Sequence, residues 1–216
     1  LDELQVGIAS TTRLLGIASV PPDRTPGERR PQGRRLVGED LRYAYREDHD
    51  VLHGIDLSLR TGERLAIVGP SGSGKSTLGR LLAGIHGPRT GSVRVGDVEL
   101  LELPLEVLRR EVALVTQEHH VFRGSVRDNV ALAREGVDDD AVRRALAIVD
   151  ATAWVGLLPA GLDTMLGSGN LVLTPAQAQQ VALARLILAD PHTLVLDEAT
   201  SLIDPRTARH LEGSMN

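Results

Sequence analysis

The chain has 216 residues, a formal net charge of −5 and no cysteine, and these values exclude several kinds of protein. The acidic balance argues against a broad basic surface for nucleic acid, although it allows a local phosphate site. The lack of cysteine excludes disulfides and thiolate metal sites, and no stretch reaches the roughly 20 uncharged apolar residues that cross a bilayer.

Residues 1–35 differ in composition from the rest of the chain. Apolar residues recur at loosely helical spacing over residues 1–20, which predicts a helix. Residues 21–35 are rich in proline and charge and have no periodicity, so we interpret them as a linker. We expect the domain itself to occupy residues 36–216.

The first half of this domain reads as strands followed by a helix. Alternating apolar residues predict strands over residues 41–45 and 51–59, and a hairpin over residues 91–98. The apolar run over residues 65–68 predicts a buried strand, and a helix is expected to begin near Gly74.

The second half mixes short strands with longer helical patterns. Residues 112–116 predict an apolar strand, and the spacing over residues 125–155 is helical. Residues 174–189 predict a further helix with Pro175 in its first turn, where proline is tolerated. Residues 193–196 predict a buried strand that ends at the acidic pair Asp197-Glu198.

The motif GPSGSGKST lies between the predicted strand and helix of the first half. This is the strand–loop–helix context that a phosphate-binding loop requires. Glycines permit positive φ and close approach of the backbone, so that N–H groups surround an anion. Lys75, the only lysine of the chain, would neutralise the β- and γ-phosphates, and Ser76 would bind Mg²⁺. The predicted nucleotide-binding residues of the loop are Gly69, Ser71, Gly72, Ser73, Gly74, Lys75, Ser76 and Thr77.

Two simpler interpretations stand beside these functional ones. A turn rich in glycine and serine between a strand and a helix need not bind anything, and Asp197-Glu198 could be a solvated helix start. The context of the loop and its lone lysine favour phosphate binding. In a P-loop enzyme, Asp197 would hold Mg²⁺ and Glu198 would polarise the water that attacks the γ-phosphate.

With these motifs the chain resembles the nucleotide-binding domain of an ABC transporter, most closely of the exporter type. GPSGSGKST resembles the Walker A motif, LVLDEATS (residues 194–201) resembles Walker B, and residues 201–204 resemble the D-loop. Gln117 resembles the Q-loop glutamine, which senses Mg²⁺ and contacts the membrane domain. Residues 124–130 (GSVRDNV) resemble the exporter segment that follows.

The resemblance implies an α/β fold and a set of site residues. The fold would be a P-loop NTPase core with a mostly parallel sheet, a small antiparallel part near residues 37–60 and 91–98, and a helical subdomain near residues 119–184. The implied cofactors are ATP and Mg²⁺. The implied catalytic residues are Glu198, Gln117 and Lys75, and the implied metal ligands are Ser76, Gln117 and Asp197.

The adenine ring has two candidate aromatic partners. Tyr45 stands where the family stacks an aromatic ring on adenine, which suits a flat base. Tyr43 competes for this role, and either tyrosine could instead face the core.

The resemblance also implies a membrane context for the whole protein. Residues 1–20 would be the end of the last helix of the protein's own transmembrane domain, and the domain would lie at the cytoplasmic face of the membrane. A disordered tail is the alternative for residues 1–20. The leading function is ATP hydrolysis that drives export, and the alternative is a structural or regulatory ABC module without transport.

The signature loop departs from the family pattern. The family has L-S-G-G-Q, and this chain has Leu173-Thr174-Pro175-Ala176-Gln177 before an intact V-A-L-A-R. Thr174, Ala176 and Gln177 would contact the ATP of the opposite subunit, but weakly, because Pro175 has no N–H and Ala176 lacks the freedom of glycine. We therefore expect a head-to-tail dimer with a non-identical half-transporter. A homodimer with two weakened sites is the alternative.

Two further departures bear on activity. Residues 164–170 (TMLGSGN) lack the glutamate that exporters usually carry in a loop that communicates with the membrane domain. The chain also reaches residue 216 before the family's switch histidine. We expect a C-terminally truncated domain that binds nucleotide better than it hydrolyses it.

Overall fold

The computed structural model describes residues 27–46, 49–116, 119–134 and 136–197. The predictions for residues 1–20, for Gln117, for Glu198 and for the D-loop therefore lie outside the described residues. Within the described part of the chain, no helix is both long and apolar enough to cross a membrane.

An antiparallel sheet of four strands forms the N-terminal part of the domain. Its strands are β1 (Leu36–Arg46), β2 (His49–Leu59), β3 (Thr90–Val95) and β4 (Val98–Glu99), in the spatial order β2-β1-β3-β4. Alternating apolar residues such as Leu36, Leu41 and Val93 face one side and are buried there, as expected for a half-buried antiparallel sheet. The predicted antiparallel part is confirmed.

Helices and a parallel strand pair complete this first core. Helix α1 (Lys75–Leu82) contacts β1 and β2 and also the parallel strands β5 (Val112–Val115) and β8 (Thr193–Leu196), and helix α2 (Leu105–Glu111) contacts β5. Helix α1 approaches the parallel pair closely, since a Cβ on Gly79 would be 3.3 Å from a methyl carbon of Val195. The predicted P-loop NTPase core is confirmed, whereas the mostly parallel sheet is represented among the described strands by the pair β5–β8 alone.

The strand predicted over residues 65–68 is wrong. These residues are assigned to no strand, and the exposed fractions of Leu65, Ile67 and Val68 are 54%, 43% and 89%. A buried strand needs a neighbour to accept its backbone hydrogen bonds, and no described strand pairs with this segment. Apolar composition alone therefore does not decide strand formation here.

The remaining elements form a second, mostly helical core. They are β6 (Gly124–Ser125), α3 (Val126–Ala131), α4 (Asp139–Ile148), α5 (Thr152–Gly156), β7 (Met165–Leu166) and α6 (Pro175–Ala189). The long helix α6 contacts both α3 and α4. The residues buried together in this core are Val126, Val130, Val142, Ala145, Leu146, Val149, Ala151, Val155, Leu162, Leu166, Val181, Leu183, Ala184 and Leu188.

Candidate nucleotide-binding site

The loop before α1 has the backbone shape of an anion-binding turn. Gly74 caps the helix in the left-handed region, with φ 87° and ψ 9°, and Gly72 has φ 80°. A Cβ on Gly74 would lie only 2.9 Å from Leu52, so the loop packs directly on β2. Gly69 does not have a positive φ, contrary to our expectation for this loop; a Cβ there would lie 2.8 Å from the Ser73 hydroxyl oxygen, so that side chain would have to shift.

Positive charge is concentrated at this loop. The Nζ of Lys75 donates to the carbonyl oxygens of Gly69, at 3.0 Å, and Pro70, at 2.7 Å. The first turn of α1 contains no acidic residue, and no side chain caps its N–H groups. The helix dipole and these free donors add to the ammonium charge, so the loop is suited to bind phosphate.

Ser76 and Asp197, which are 121 positions apart, meet beside the loop. The Ser76 hydroxyl donates to Oδ1 of Asp197 at 3.0 Å. A serine hydroxyl and a carboxylate are the hard oxygen ligands that Mg²⁺ prefers, and protein sites for Mg²⁺ typically supply only one or two of them beside phosphate and water. The pair therefore fits Mg²⁺, although no cluster of three or more acidic or histidine side chains is present among the described residues.

The two tyrosines of β1 have different surroundings. Tyr45 is 55% exposed, and its hydroxyl is 3.1 Å from the Thr77 hydroxyl in the phosphate loop's helix. Tyr43 packs against the first core and stacks on His86 with ring centroids 5.8 Å apart. Tyr45 is thus the exposed ring beside the loop, and its stacking on adenine stays a prediction.

The altered signature residues form a self-contained helix cap. Thr174 caps α6, and its hydroxyl oxygen accepts from the Gln177 N–H while the Gln177 side chain accepts from the Thr174 N–H at 2.9 Å. The Thr174 hydroxyl also lies 3.1 Å from the same Gln177 oxygen and donates to it. Pro175 has no N–H, so only the Ala176 N–H stays outside these bonds.

Arg185 is a structural residue that our sequence analysis did not single out. Its Nε donates to the Asn129 carbonyl at 2.9 Å, and its guanidinium lies 5.3 Å from the centre of the Phe122 ring. Burial lowers the pKa of Arg185 from its ordinary value. The intact V-A-L-A-R motif contained this arginine, but its contact with the segment after Gln117 depends on tertiary packing.

The family model for the ABC transporter matches residues 52–201, which include the phosphate loop and the acidic pair. The chain belongs to the ABC transporter family. It is an ATP-binding domain of the exporter type.

Individual relatives agree with this assignment. The ATP-dependent lipid A-core flippase of Chromohalobacter salexigens is 37% identical over 215 residues, which are 98% of this chain and 37% of that protein. The ATP-dependent permease MDL1 of Candida albicans is 38% identical over 168 residues, which are 77% of this chain and 24% of that protein.

A solved structure, described as a bacterial Atm1-family ABC exporter with ATP bound, is 27% identical with a TM-score of 0.81. It is matched over 98% of this chain and 38% of its own length. The chain thus spans little more than a third of the flippase and exporter chains that it resembles.

Proposed function

We propose that this domain binds and hydrolyses ATP to drive export through the protein's own transmembrane domain. The observation that carries the proposal is the convergence of Lys75, Ser76 and Asp197 at one helix N-terminus. The names of the flippase and the exporter support the transport role. Under this proposal the domain lies at the cytoplasmic face of the membrane, and residues 1–20 and 21–35 connect it to the membrane domain.

Each residue of the site has a separate task in this mechanism. Lys75 leaves the carbonyl oxygens of its own loop and neutralises charge on the β- and γ-phosphates. Ser76 and Asp197, with Gln117, would hold Mg²⁺, which would supply charge neutralisation at the phosphates. Glu198 accepts a proton from the attacking water, and Tyr45 stacks on the adenine ring.

The lone lysine allows a direct test. Lys75 and the α-amino group are the aliphatic amines of the chain, because every other basic side chain is arginine or histidine. Limited acylation with an amine-specific reagent, followed by peptide mass analysis, therefore reports on Lys75 and on the α-amino group separately. We expect Mg·ATP to slow acylation of Lys75 at least fivefold and to leave the α-amino group unchanged.

A matched pair of variants controls this test. Lys75→Ala should abolish measurable Mg·ATP binding, because the phosphates lose their nearest cation. Arg80→Ala removes an exposed cation from the last turn of the same helix and should bind Mg·ATP as the wild type does. Equal acylation rates with and without Mg·ATP, or equal binding by both variants, would contradict the proposed site.

We also propose that the partner is a non-identical half-transporter. The capping box of Thr174 and Gln177 supports this, because the side chains and N–H groups of these two residues already bond to each other within the cap. Pro175 removes one further backbone donor. A phosphate facing α6 would receive the Ala176 N–H alone, so the ATP of the partner is held weakly while this chain's own phosphate loop is complete.

A further inference from the structure

The segment before β1 is bound to the sheet at one turn. Asp97 lies in the two-residue turn between β3 and β4. Its Oδ1 accepts from the Gln32 N–H at 2.8 Å, and its Oδ2 accepts from the Arg29 guanidinium at 2.7 Å. One carboxylate therefore holds two points of the segment.

Backbone contacts on either side show that the segment follows this turn closely. The Gly27 N–H donates to the Glu102 carbonyl at 2.7 Å, and the Gly96 N–H donates to the Arg35 carbonyl at 2.9 Å. A Cβ on Gly96 would lie 2.2 Å from the Gln32 carbonyl oxygen, and Gly96 has φ 57°. Only glycine allows this approach, so the turn is shaped to receive the segment.

Asp97 makes the side-chain contacts that attach an otherwise exposed segment to the sheet. Residues 27–30 and 32–35 are exposed, so apolar burial contributes little to holding them. The N–H of Gln32, and then Arg29, hold the pKa of Asp97 below its ordinary value. The carboxylate is thus ionised and available as an acceptor at neutral pH.

We propose that Asp97 is a positioning residue that fastens residues 27–35 to the β3–β4 turn, so that a displacement of this segment is passed to the antiparallel sheet. Strand β3 pairs with β1, and β1 carries Tyr45 near its end, beside the phosphate loop. The attachment of the segment to Asp97 is supported by the contacts described above. The further step, that it links the membrane domain to the nucleotide site, rests on the proposed function.

Limited trypsin digestion of the 216-residue chain tests the fastening. Cleavage after Arg29 and Arg34 reports on the segment, whereas the bond after Arg30 precedes Pro31 and is resistant. Asp97→Ala removes both acceptors, and we expect cleavage at the two sites to accelerate at least fivefold. Asp97→Asn keeps an acceptor for the Gln32 N–H but loses the ion pair, so its acceleration should be smaller.

Asp56→Ala is the matched control, because Asp56 accepts from the Asp40 N–H at 2.8 Å on the same sheet, away from the segment. We expect this variant to be cleaved like the wild type. Arg42 and Arg94 lie within β1 and β3 and report loosening of the sheet itself. Unchanged cleavage in Asp97→Ala, or equal acceleration at Arg94 or in Asp56→Ala, would overturn the proposal.

Measurements of Mg·ATP binding distinguish a failure of this proposal from a failure of the proposed function. Asp97→Ala should bind Mg·ATP within twofold of the wild type, because no described contact joins Asp97 to the phosphate loop. A tenfold loss would mean that the substitution damages the sheet, which would also overturn the selective fastening. If the wild type itself bound no nucleotide through Lys75, the proposed function would fail while the digestion result stood.

Discussion

Tyr43 and Tyr45 are two positions apart on β1, and their rings meet edge to face with centroids 5.0 Å apart. This ring contact places both on one side of the sheet. Tyr43 covers the first core, whereas Tyr45 lies beyond that core, at the phosphate loop. We therefore expect separable roles for the two rings, Tyr43 in stability and Tyr45 in the proposed base stacking.

Replacement of each tyrosine should separate these roles. Tyr45→Ala should weaken Mg·ATP binding by about 5- to 150-fold, because base stacking contributes about 1–3 kcal/mol, and Tyr45→Phe should retain most of the affinity. Tyr43→Ala should chiefly lower the free energy of unfolding. Equilibrium binding and denaturant titration check this; a Tyr43→Ala variant of wild-type stability that binds poorly would reverse the assignment.

At the scale of elements, capping boxes begin two helices of the second core. Ser125 and Asp128 form the capping box of α3, and Thr174 and Gln177 form the capping box of α6. Both are local in sequence and satisfy backbone N–H groups that a helix start leaves free. They fix the start of α3, in the segment that follows Gln117, and the start of α6, the helix that follows the signature loop.

The cap of α3 should make stability depend on pH. Hydrogen bonds from the hydroxyl and the N–H of Ser125 lower the pKa of Asp128 below its ordinary value of 3.8. A lowered pKa in the folded state means that the stabilisation is complete above pH 3.8 and is lost as the pH falls through the lower value.

The matching variant is Asp128→Asn. At pH 7 it should be less stable than the wild type by about 0.3–1 kcal/mol, because a negative charge is lost from a helix N-terminus. Urea titrations should show this difference shrinking as the pH falls below 3.8. Asp140→Asn is the control, because it also removes one negative charge from the first turn of a helix, α4, but from a residue that is not part of a capping box. A constant difference for Asp128→Asn from neutral to acidic pH would contradict the role of its carboxylate.

For the whole molecule, the intact phosphate loop and the self-capped signature helix would belong to different sites of the proposed head-to-tail dimer. Each site of that dimer would take a phosphate loop from one subunit and a signature from the other. Two copies of this chain would therefore combine two good loops with two poor signatures. This asymmetry within one chain is the physical reason to expect a non-identical partner.

Self-association with ATP tests this expectation. Glu198→Gln, introduced to stop hydrolysis, should leave the chain monomeric in Mg·ATP. Adding Thr174→Ser, Pro175→Gly and Ala176→Gly should restore the family's signature and shift the chain to a dimer, with at least tenfold tighter association. Sedimentation velocity distinguishes the two species. Equally strong dimerisation with the native signature would favour the homodimer.

The local parts of the site could be predicted from sequence because their residues are neighbours along the chain. The phosphate loop needs only its glycines, Lys75 and the helix that follows, and the proline at the start of α6 is similarly local. The exposure of residues 65–68 could not be predicted, because strand formation depends on a hydrogen-bonding neighbour. Asp97 appeared only as part of a hairpin, since its partners Arg29 and Gln32 precede it by 68 and 65 positions along the chain.

The sequence by itself determined the family, the phosphate loop and the altered signature, because each is a contiguous pattern whose chemistry depends on residue type and spacing. Only the tertiary structure decided which distant groups meet. It brought the Ser76 hydroxyl within 3.0 Å of Asp197. It also placed the exposed ring of Tyr45, and not that of Tyr43, beside the loop, and it paired Arg29 with Asp97. The physical reason is that such contacts follow from how strands pair and helices pack, and the spacing of residues along the chain does not encode those distances.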